Sequence, residues 1–255
     1  GTKFGAYCLT EPDAGSDANS GKTKARLSED GKHYIINGQK MWISNAGFAD
    51  TFTFFAKIDD DKNITGFVVN RSELEDPSSL TFGEEEHKLG IRSSSTRQVF
   101  FNDMKVPVEN LFGERNNGIK IDLNALNVGR IKLAAANLDG QRRILAYATQ
   151  YANERKQFGV AISTFGAIRK KIAEMATGIF VSEAGSYRAA KDIQDKIDEL
   201  IAGGMNHQEA ELKGVEEFAV ECSILKVFVS DLTQNTADEG IQIYGGMGFS
   251  EDAPM

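Results

Sequence analysis

His33-Tyr34-Ile35-Ile36-Asn37-Gly38-Gln39-Lys40-Met41-Trp42-Ile43 sets an Asn-Gly pair between two runs rich in β-branched, aromatic and other apolar residues. Such a pair is the strongest short-range hairpin signal, because both turn positions need positive φ and Asn and Gly tolerate it. The pattern therefore predicts two antiparallel strands with the turn at Asn37-Gly38. Outward from there the same character continues. Thr51-Phe52-Thr53-Phe54 alternates at period two, and Ile64 to Val69 and Gln98 to Phe101 are further apolar, β-branched or aromatic runs. Asn102-Asp103 reads as a turn, and Pro107 as the end of the last strand region. Short strands at this density predict a barrel or a sandwich.

Near residue 115 the apolar period changes from two to three or four. Leu126, Leu133 and Ala134 to Ala136 open a helix that runs towards Tyr151. Phe165, Ile168, Ile172, Met175 and Ile179 form the stripe of a second, extended by Ile193, Ile197 and Leu200. Gly203-Gly204 stops it. Asn206, three residues before Glu209, resembles a capping box, and Val215, Phe218, Cys222, Leu225, Val229 and Leu232 carry one further stripe. A β domain followed by a helical bundle, an α+β chain, rests on these patterns alone.

The 255 residues carry 29 Lys and Arg against 37 Asp and Glu, a formal net charge of -8. That balance speaks against a nucleic-acid coat, since phosphate neutralisation needs a basic face. No apolar run is long enough to span a bilayer, and Gly1-Thr2-Lys3-Phe4 has no secretory core. Cys8 and Cys222 lie far apart and lack metal-ligand spacing, so a reducing compartment is the expectation.

Five strings carry chemistry. In Tyr7-Cys8-Leu9-Thr10-Glu11-Pro12-Asp13-Ala14-Gly15-Ser16-Asp17, Pro12 and Gly15 force a turn after a strand. Such a turn presents backbone N–H groups, with the Thr10 and Ser16 hydroxyls, to an anion or a polar ring; it is also what an ordinary connection looks like. In Asn37 to Asn45, Trp42 reads as core packing or as a ring offered to a ligand. In Asn127-Val128-Gly129-Arg130, an Arg among apolar residues needs a partner or solvent. A mid-helix Gly costs about 1 kcal/mol relative to Ala, so Gly129 calls for close packing or for room beside it. In Glu154-Arg155-Lys156-Gln157-Phe158-Gly159 with Phe165-Gly166, Arg155 offers a planar fork suited to phosphate or a cation for a helix end. In Gln242-Ile243-Tyr244-Gly245-Gly246-Met247-Gly248-Phe249, the glycines stop a helix or admit a ligand to the backbone.

Together, in this order and spacing, the five strings resemble the acyl-CoA dehydrogenase family, with Gly129 in an Asn-x-Gly-Arg string like that of its very-long-chain members. The resemblance implies a β-barrel flavin-binding middle domain over residues 1–114 and an incomplete C-terminal helical bundle over residues 115–255. It implies FAD, held by Tyr7, Leu9, Thr10, Gly15, Ser16, Trp42, Ile43 and Ser44 of one chain and by Arg155, Phe158, Phe165, Gln242, Gly245 and Gly246 reaching from a neighbouring subunit. That division implies a dimer or dimer of dimers. It places Ser16, Asn127, Gly129 and Arg130 beside a long-chain acyl-CoA, oxidised to the trans-2-enoyl-CoA in fatty-acid β-oxidation. It names an electron-transferring flavoprotein as electron acceptor, in the bacterial cytoplasm or the mitochondrial matrix.

The family's N-terminal helical domain is expected to precede Thr2. The catalytic Glu, in a Glu-Gly-Thr segment, is expected beyond Met255. A minority of the family places that Glu where this chain has Gly129, which excludes that arrangement here. No catalytic residue is therefore assigned within these residues, and little or no turnover is expected of them alone. An acyl-CoA oxidase or other flavoenzyme on the same scaffold, and a non-catalytic fold relative, remain alternatives.

Overall fold

The Asn37-Gly38 pair does not turn the chain. In the computed structural model, which describes residues 1–254, His33–Ser44 is one twelve-residue strand. It is β3 of eight: β1 (Gly5–Cys8), β2 (Lys24–Leu27), β3, β4 (Thr51–Ile58), β5 (Thr65–Asn70), β6 (Leu80–Phe82), β7 (Thr96–Pro107) and β8 (Leu111–Phe112). The strands join in the order β6-β7-β3-β2-β4-β5-β8, with β1 alongside β4. All eight contribute side chains to one cluster, from Cys8, Ala25 and Ile36 through Phe52, Phe54 and Phe67 to Leu80, Phe101 and the partly buried Leu111. A sheet that feeds a single core from every strand is rolled up as a barrel.

The predicted turn is a β-bulge. Two residues of β7, Asn102 and Asp103, face the single Asn37 of β3, because the register passes from Ile36↔Met104 to Gly38↔Phe101. The Asn37 amide donates to Asp103 Oδ1 (2.8 Å), and its oxygen accepts from the Asp103 N–H (3.0 Å). The second predicted turn, Asn102-Asp103, is thus the other half of the same feature. Gly38 has φ of 147°, and a Cβ there would lie within 2.7–2.9 Å of Thr23. The glycine serves a close approach between strands. The turn that does reverse the chain lies earlier, at Asp30-Gly31, where Gly31 has φ of 70° and donates to Ser28 O. It brings β2 back antiparallel to β3 with Leu27 opposite Tyr34.

The chain divides into two compact units, Gly1–Leu123 and Asn124–Met255. Helices α1 (Gly118–Glu154), α2 (Gly166–Ala202), α3 (His207–Glu217) and α4 (Ala219–Tyr244) account for most of the second. Gly203 caps α2 as expected, and Asn206 caps α3 by accepting from Glu209 N–H at 2.9 Å. The stripe from Val215 to Leu232 is not one helix. Phe218, at φ -104° and ψ 28°, separates α3 from α4 while packing into the cluster of Ile193, Ile197, Ala210 and Cys222. A second cluster, Ala148, Ala152, Met175 and Ile243, ties the end of α4 to α1 and α2.

Candidate functional site

In the barrel unit, two of the five strings come together. β1 delivers the chain into the loop Leu9–Ser16. Glu11 and Ala14 exchange backbone hydrogen bonds at 3.0 and 3.1 Å, leaving Pro12-Asp13 as the tip. Gly15 and Ser16 are exposed, Leu9 and Thr10 half-buried. The Thr10 and Ser16 hydroxyls have no partner among the described residues. Beside this loop lies a second bulge, now on β3. Met41 and Trp42 face the single Gln98, between Lys40↔Val99 and Ile43↔Arg97. The Met41 N–H donates to Thr10 O at 2.9 Å, which stitches the bulge to the loop.

Trp42 is the only tryptophan, sits at φ 58° and is 60% exposed. Left-handed backbone is unfavourable for a large side chain and persists only when its surroundings impose it. The bulge imposes it here, and the result is an indole turned out of the core. Ile43 is the opposite case. Its side chain belongs to the barrel core, so any contact it makes with a ligand runs through its main chain. Ser44 is exposed. Tyr7 packs edge-on against Phe55, and its hydroxyl donates to the buried Asp122 at 2.6 Å. Burial, then the Asp122 carboxylate, pushes the phenol far above its usual range, so it stays protonated.

Beneath the loop is a feature that the sequence reading did not single out. Lys40 and Glu11 form an ion pair at 2.7 Å with 2% and 5% of their side chains exposed. Lys40 Nζ also donates to Leu9 O (3.1 Å), and Glu11 accepts from the N–H groups of Lys22 (2.5 Å) and Thr23 (3.2 Å). Burial raises the Glu11 carboxyl, but the Lys40 ammonium and the hydrogen bonds from Thr23 and Lys22 outweigh it and hold it below the usual carboxylate range. Burial pulls the Lys40 ammonium down, against the opposing pull of Glu11. A signal was available in the strand parity. Ile36, Gly38 and Lys40 share the inward face of β3, and a charge on that face requires a partner.

The remaining strings lie in the helical unit. Between α1 and α2 stands a two-strand hairpin, β9 (Lys156–Gln157) and β10 (Val160–Ala161). Its turn is Phe158-Gly159, with φ of 54° and 82°, the double positive φ of a tight hairpin. Phe158 is 94% exposed at a position that favours Asn or Gly, and its ring lies edge-to-face with Phe165 at 6.3 Å. The exposed Arg155 guanidinium has no partner among the described residues. At the same end of this unit α4 stops at Gly245, φ 60°. Tyr244 stacks on Tyr151 at 4.1 Å, and Gln242, Gly245 and Gly246 are exposed. The fourth and fifth strings are therefore neighbours.

Asn127, Gly129 and Arg130 lie on the first half of α1. Arg130 donates to the buried Asn127 side chain at 2.6 Å, a neutral partner rather than a carboxylate. Among the described residues, a Cβ built at Gly129 meets no atom within 4 Å, so none of them requires a glycine there. Among the described residues no cluster of three or more His, Cys, Asp or Glu could hold a metal, and no helix is long and apolar enough to cross a membrane.

Residues 6–104 match the model of the acyl-CoA dehydrogenase middle domain, and residues 116–255 that of the C-terminal domain. The chain belongs to the acyl-CoA dehydrogenase family. A probable acyl-CoA dehydrogenase of Bacillus subtilis (strain 168) is 41% identical over 99% of this chain, which spans 42% of that relative. The human mitochondrial very long-chain specific acyl-CoA dehydrogenase is 40% identical over 99% of this chain, which spans 36% of it. The chain is thus well under half the length of these relatives. Among solved structures, the acyl-CoA dehydrogenase of Bacillus anthracis complexed with FAD superposes with a TM-score of 0.88 and 40% identity, over 98% of this chain and 43% of that one. In this acyl-CoA dehydrogenase family member the barrel is the middle domain and the helices the C-terminal domain, an α+β arrangement as expected.

Proposed function

We propose that the whole protein is an FAD-dependent acyl-CoA dehydrogenase that converts a long-chain acyl-CoA to the trans-2-enoyl-CoA in fatty-acid β-oxidation. The observation that carries this is Trp42, an exposed indole held at left-handed backbone and stitched to the Leu9–Ser16 loop. The residues fit a flavin. The loop offers unpartnered Thr10 and Ser16 hydroxyls, the bulge offers a flat aromatic face, and the helical unit offers an unpartnered Arg155 beside the outturned Phe158. FAD at this site would accept the hydride from the substrate β carbon.

The residues of this chain then have separate tasks. Tyr7, Leu9, Thr10, Gly15, Ser16, Trp42, Ile43 and Ser44 orient the flavin. Arg155 meets pyrophosphate of the flavin in a second subunit, with Phe158, Phe165, Gln242, Gly245 and Gly246 around it, which makes the working form at least a dimer. By resemblance to the family, Ser16 and, in the helical unit, Asn127 and Arg130 are each assigned to the acyl-CoA, and Gly129 leaves room for a long acyl chain. The α-proton goes to a carboxylate outside these residues, since position 129 supplies none. Without that base, residues 1–255 alone form no enoyl-CoA. Reoxidation falls to an electron-transferring flavoprotein, in a bacterial cytoplasm or a mitochondrial matrix.

The test is anaerobic addition of palmitoyl-CoA to the FAD-loaded full-length protein. The expected result is loss of the flavin absorbance near the oxidised maximum with enoyl-CoA formed in equal amount. A full-length protein whose flavin no acyl-CoA of any length bleaches contradicts the proposal.

A further inference from the structure

Three donors converge on the carboxylate that lies beneath the candidate flavin loop. Glu11 takes the Lys40 ammonium from β3 and two backbone N–H groups, Lys22 and Thr23, from the segment entering β2. The ammonium in turn reaches Leu9 O, at the start of the loop. Gly21 makes room for this arrangement, because a Cβ there would lie 2.9 Å from Glu11 Oε1. One carboxylate thereby fixes three separate stretches of chain: the loop that carries Thr10 and Ser16, the strand that carries Trp42 two residues beyond Lys40, and the entry to β2.

Energetics argue that stability is not the reason for it. Desolvating two charges costs several kcal/mol each, and an apolar pair of similar volume is often neutral or stabilising in their place. What an ion pair supplies and an apolar pair does not is one defined geometry, since the carboxylate and ammonium are satisfied only in this arrangement. The neighbouring backbone needs such a constraint. Trp42 at φ 58° is held away from its preferred conformations, and the Met41 N–H must meet Thr10 O for the loop and the bulge to stay in register.

We infer that Glu11 and Lys40 are positioning residues for the flavin: their buried pair locks the Leu9–Ser16 loop against the Trp42 bulge in the one register that receives the isoalloxazine. Neither side chain is exposed enough to touch a ligand, so the pair acts through the loop and Trp42. The inference rests on the proposed FAD site.

The experiment compares variants of the full-length protein. Glu11→Gln strands a buried ammonium, so the informative variant is the double substitution Glu11→Gln/Lys40→Met, which removes both charges and keeps the volume. Val106→Ala serves as the control, a cavity in the same core at the far end of the β3–β7 ladder, opposite Tyr34. Each apoprotein is titrated with FAD by flavin fluorescence quenching, the visible circular dichroism of bound flavin is recorded, and the thermal midpoint is measured. The double variant is expected to keep its midpoint near the parent's, to bind FAD at least tenfold more weakly and to show an altered flavin dichroism. Val106→Ala is expected to lower the midpoint and leave FAD affinity within twofold. If the double variant does not fold, Glu11→Asp takes its place, with a smaller loss of affinity and the same change in dichroism expected.

Parent-like affinity and dichroism in the folded variant overturn the inference while leaving the FAD site standing. So does a loss of affinity that Val106→Ala matches. A parent protein that binds no FAD overturns the site reading and this inference with it.

Discussion

The two units solve the problem of burial in different ways. The barrel concentrates large aromatic side chains in one place: Phe52, Phe54, Phe67 and Phe101 are all buried, with Phe54 stacked on Phe67 at 5.3 Å and tilted against Phe101 at 4.8 Å. The helical unit has two smaller clusters, and it leaves Phe180, Tyr187, Val220 and Ile224 exposed. It also holds buried polar oxygens without partners among the described residues, at Gln141, Ser182, Ser186 and Thr236. Among the described residues, the buried side-chain oxygens without a partner all lie in the helical unit, while the buried Glu11 and Lys40 of the barrel are hydrogen-bonded. The contrast teaches that the barrel gathers its apolar residues into one core, whereas the helices are held by smaller clusters spaced along their packed faces.

This comparison can be broken by mutation. The largest effect is expected from Phe54→Ala, which opens a cavity in the single barrel core and costs about 3–5 kcal/mol. Denaturant unfolding gives the magnitude, and hydrogen exchange is expected to show barrel peptides deprotected while α2 stays protected. Equal deprotection of both units would mean that they unfold as one. Ile243→Val, in a small helical cluster, is expected to cost about 0.5–1.5 kcal/mol with the reverse exchange pattern. Gln141→Met is expected to lie within about 1 kcal/mol of the parent. It removes the orphaned oxygen, and although the Gln141 amide bonds to Val229 O and Thr233 are lost, Val229 O still accepts from the Thr233 hydroxyl. A large destabilisation would show that the oxygen has a partner, such as an ordered water.

The smallest effect concerns pH. Glu85 accepts from the Ser95 hydroxyl, Arg97 and the Thr96 N–H, and these bonds hold its carboxyl at about 2 against an ordinary 4.5. A carboxyl depressed on folding contributes stability above its unfolded value and loses it as pH falls through the folded one. The contribution is therefore intact above about pH 4.5 and fades towards pH 2. The group is exposed and screened, so only a slight flattening of stability against pH in that window is expected for Glu85→Gln. No change in slope would mean that the loop adjusts without it.

The sequence carried the first two long helices and the ends at Gly203 and Asn206, which are strong local signals, but not the break at Phe218 within the Val215–Leu232 stripe. It misread the barrel where two local signals sat on paired strands. Asn37-Gly38 and Asn102-Asp103 each look like a turn, but facing each other across β3 and β7 they make one bulge. Tertiary pairing decided between the two outcomes, and no window of a single strand contains it. β2, Lys24-Ala25-Arg26-Leu27, escaped notice because only Ala25 of its side chains is buried. At the candidate site, the strings themselves were legible, as was the choice between a buried and an outturned Trp42, though not its answer. Glu11 and Lys40 were quoted within two motifs, yet their pairing is a contact between residues 29 positions apart. Parity along β3 hinted at Lys40; nothing local identified its partner.

The account turns on Trp42 facing the flavin, and it is the single tryptophan of residues 1–255. The direct measurement is therefore the part of the tryptophan emission that the full-length apoprotein loses on Trp42→Phe, followed as the difference between the two proteins during titration with FAD. Saturable quenching of that difference, reaching its end point at one FAD per chain, is the expected result. Binding of FAD that leaves the Trp42 emission unchanged would contradict the account.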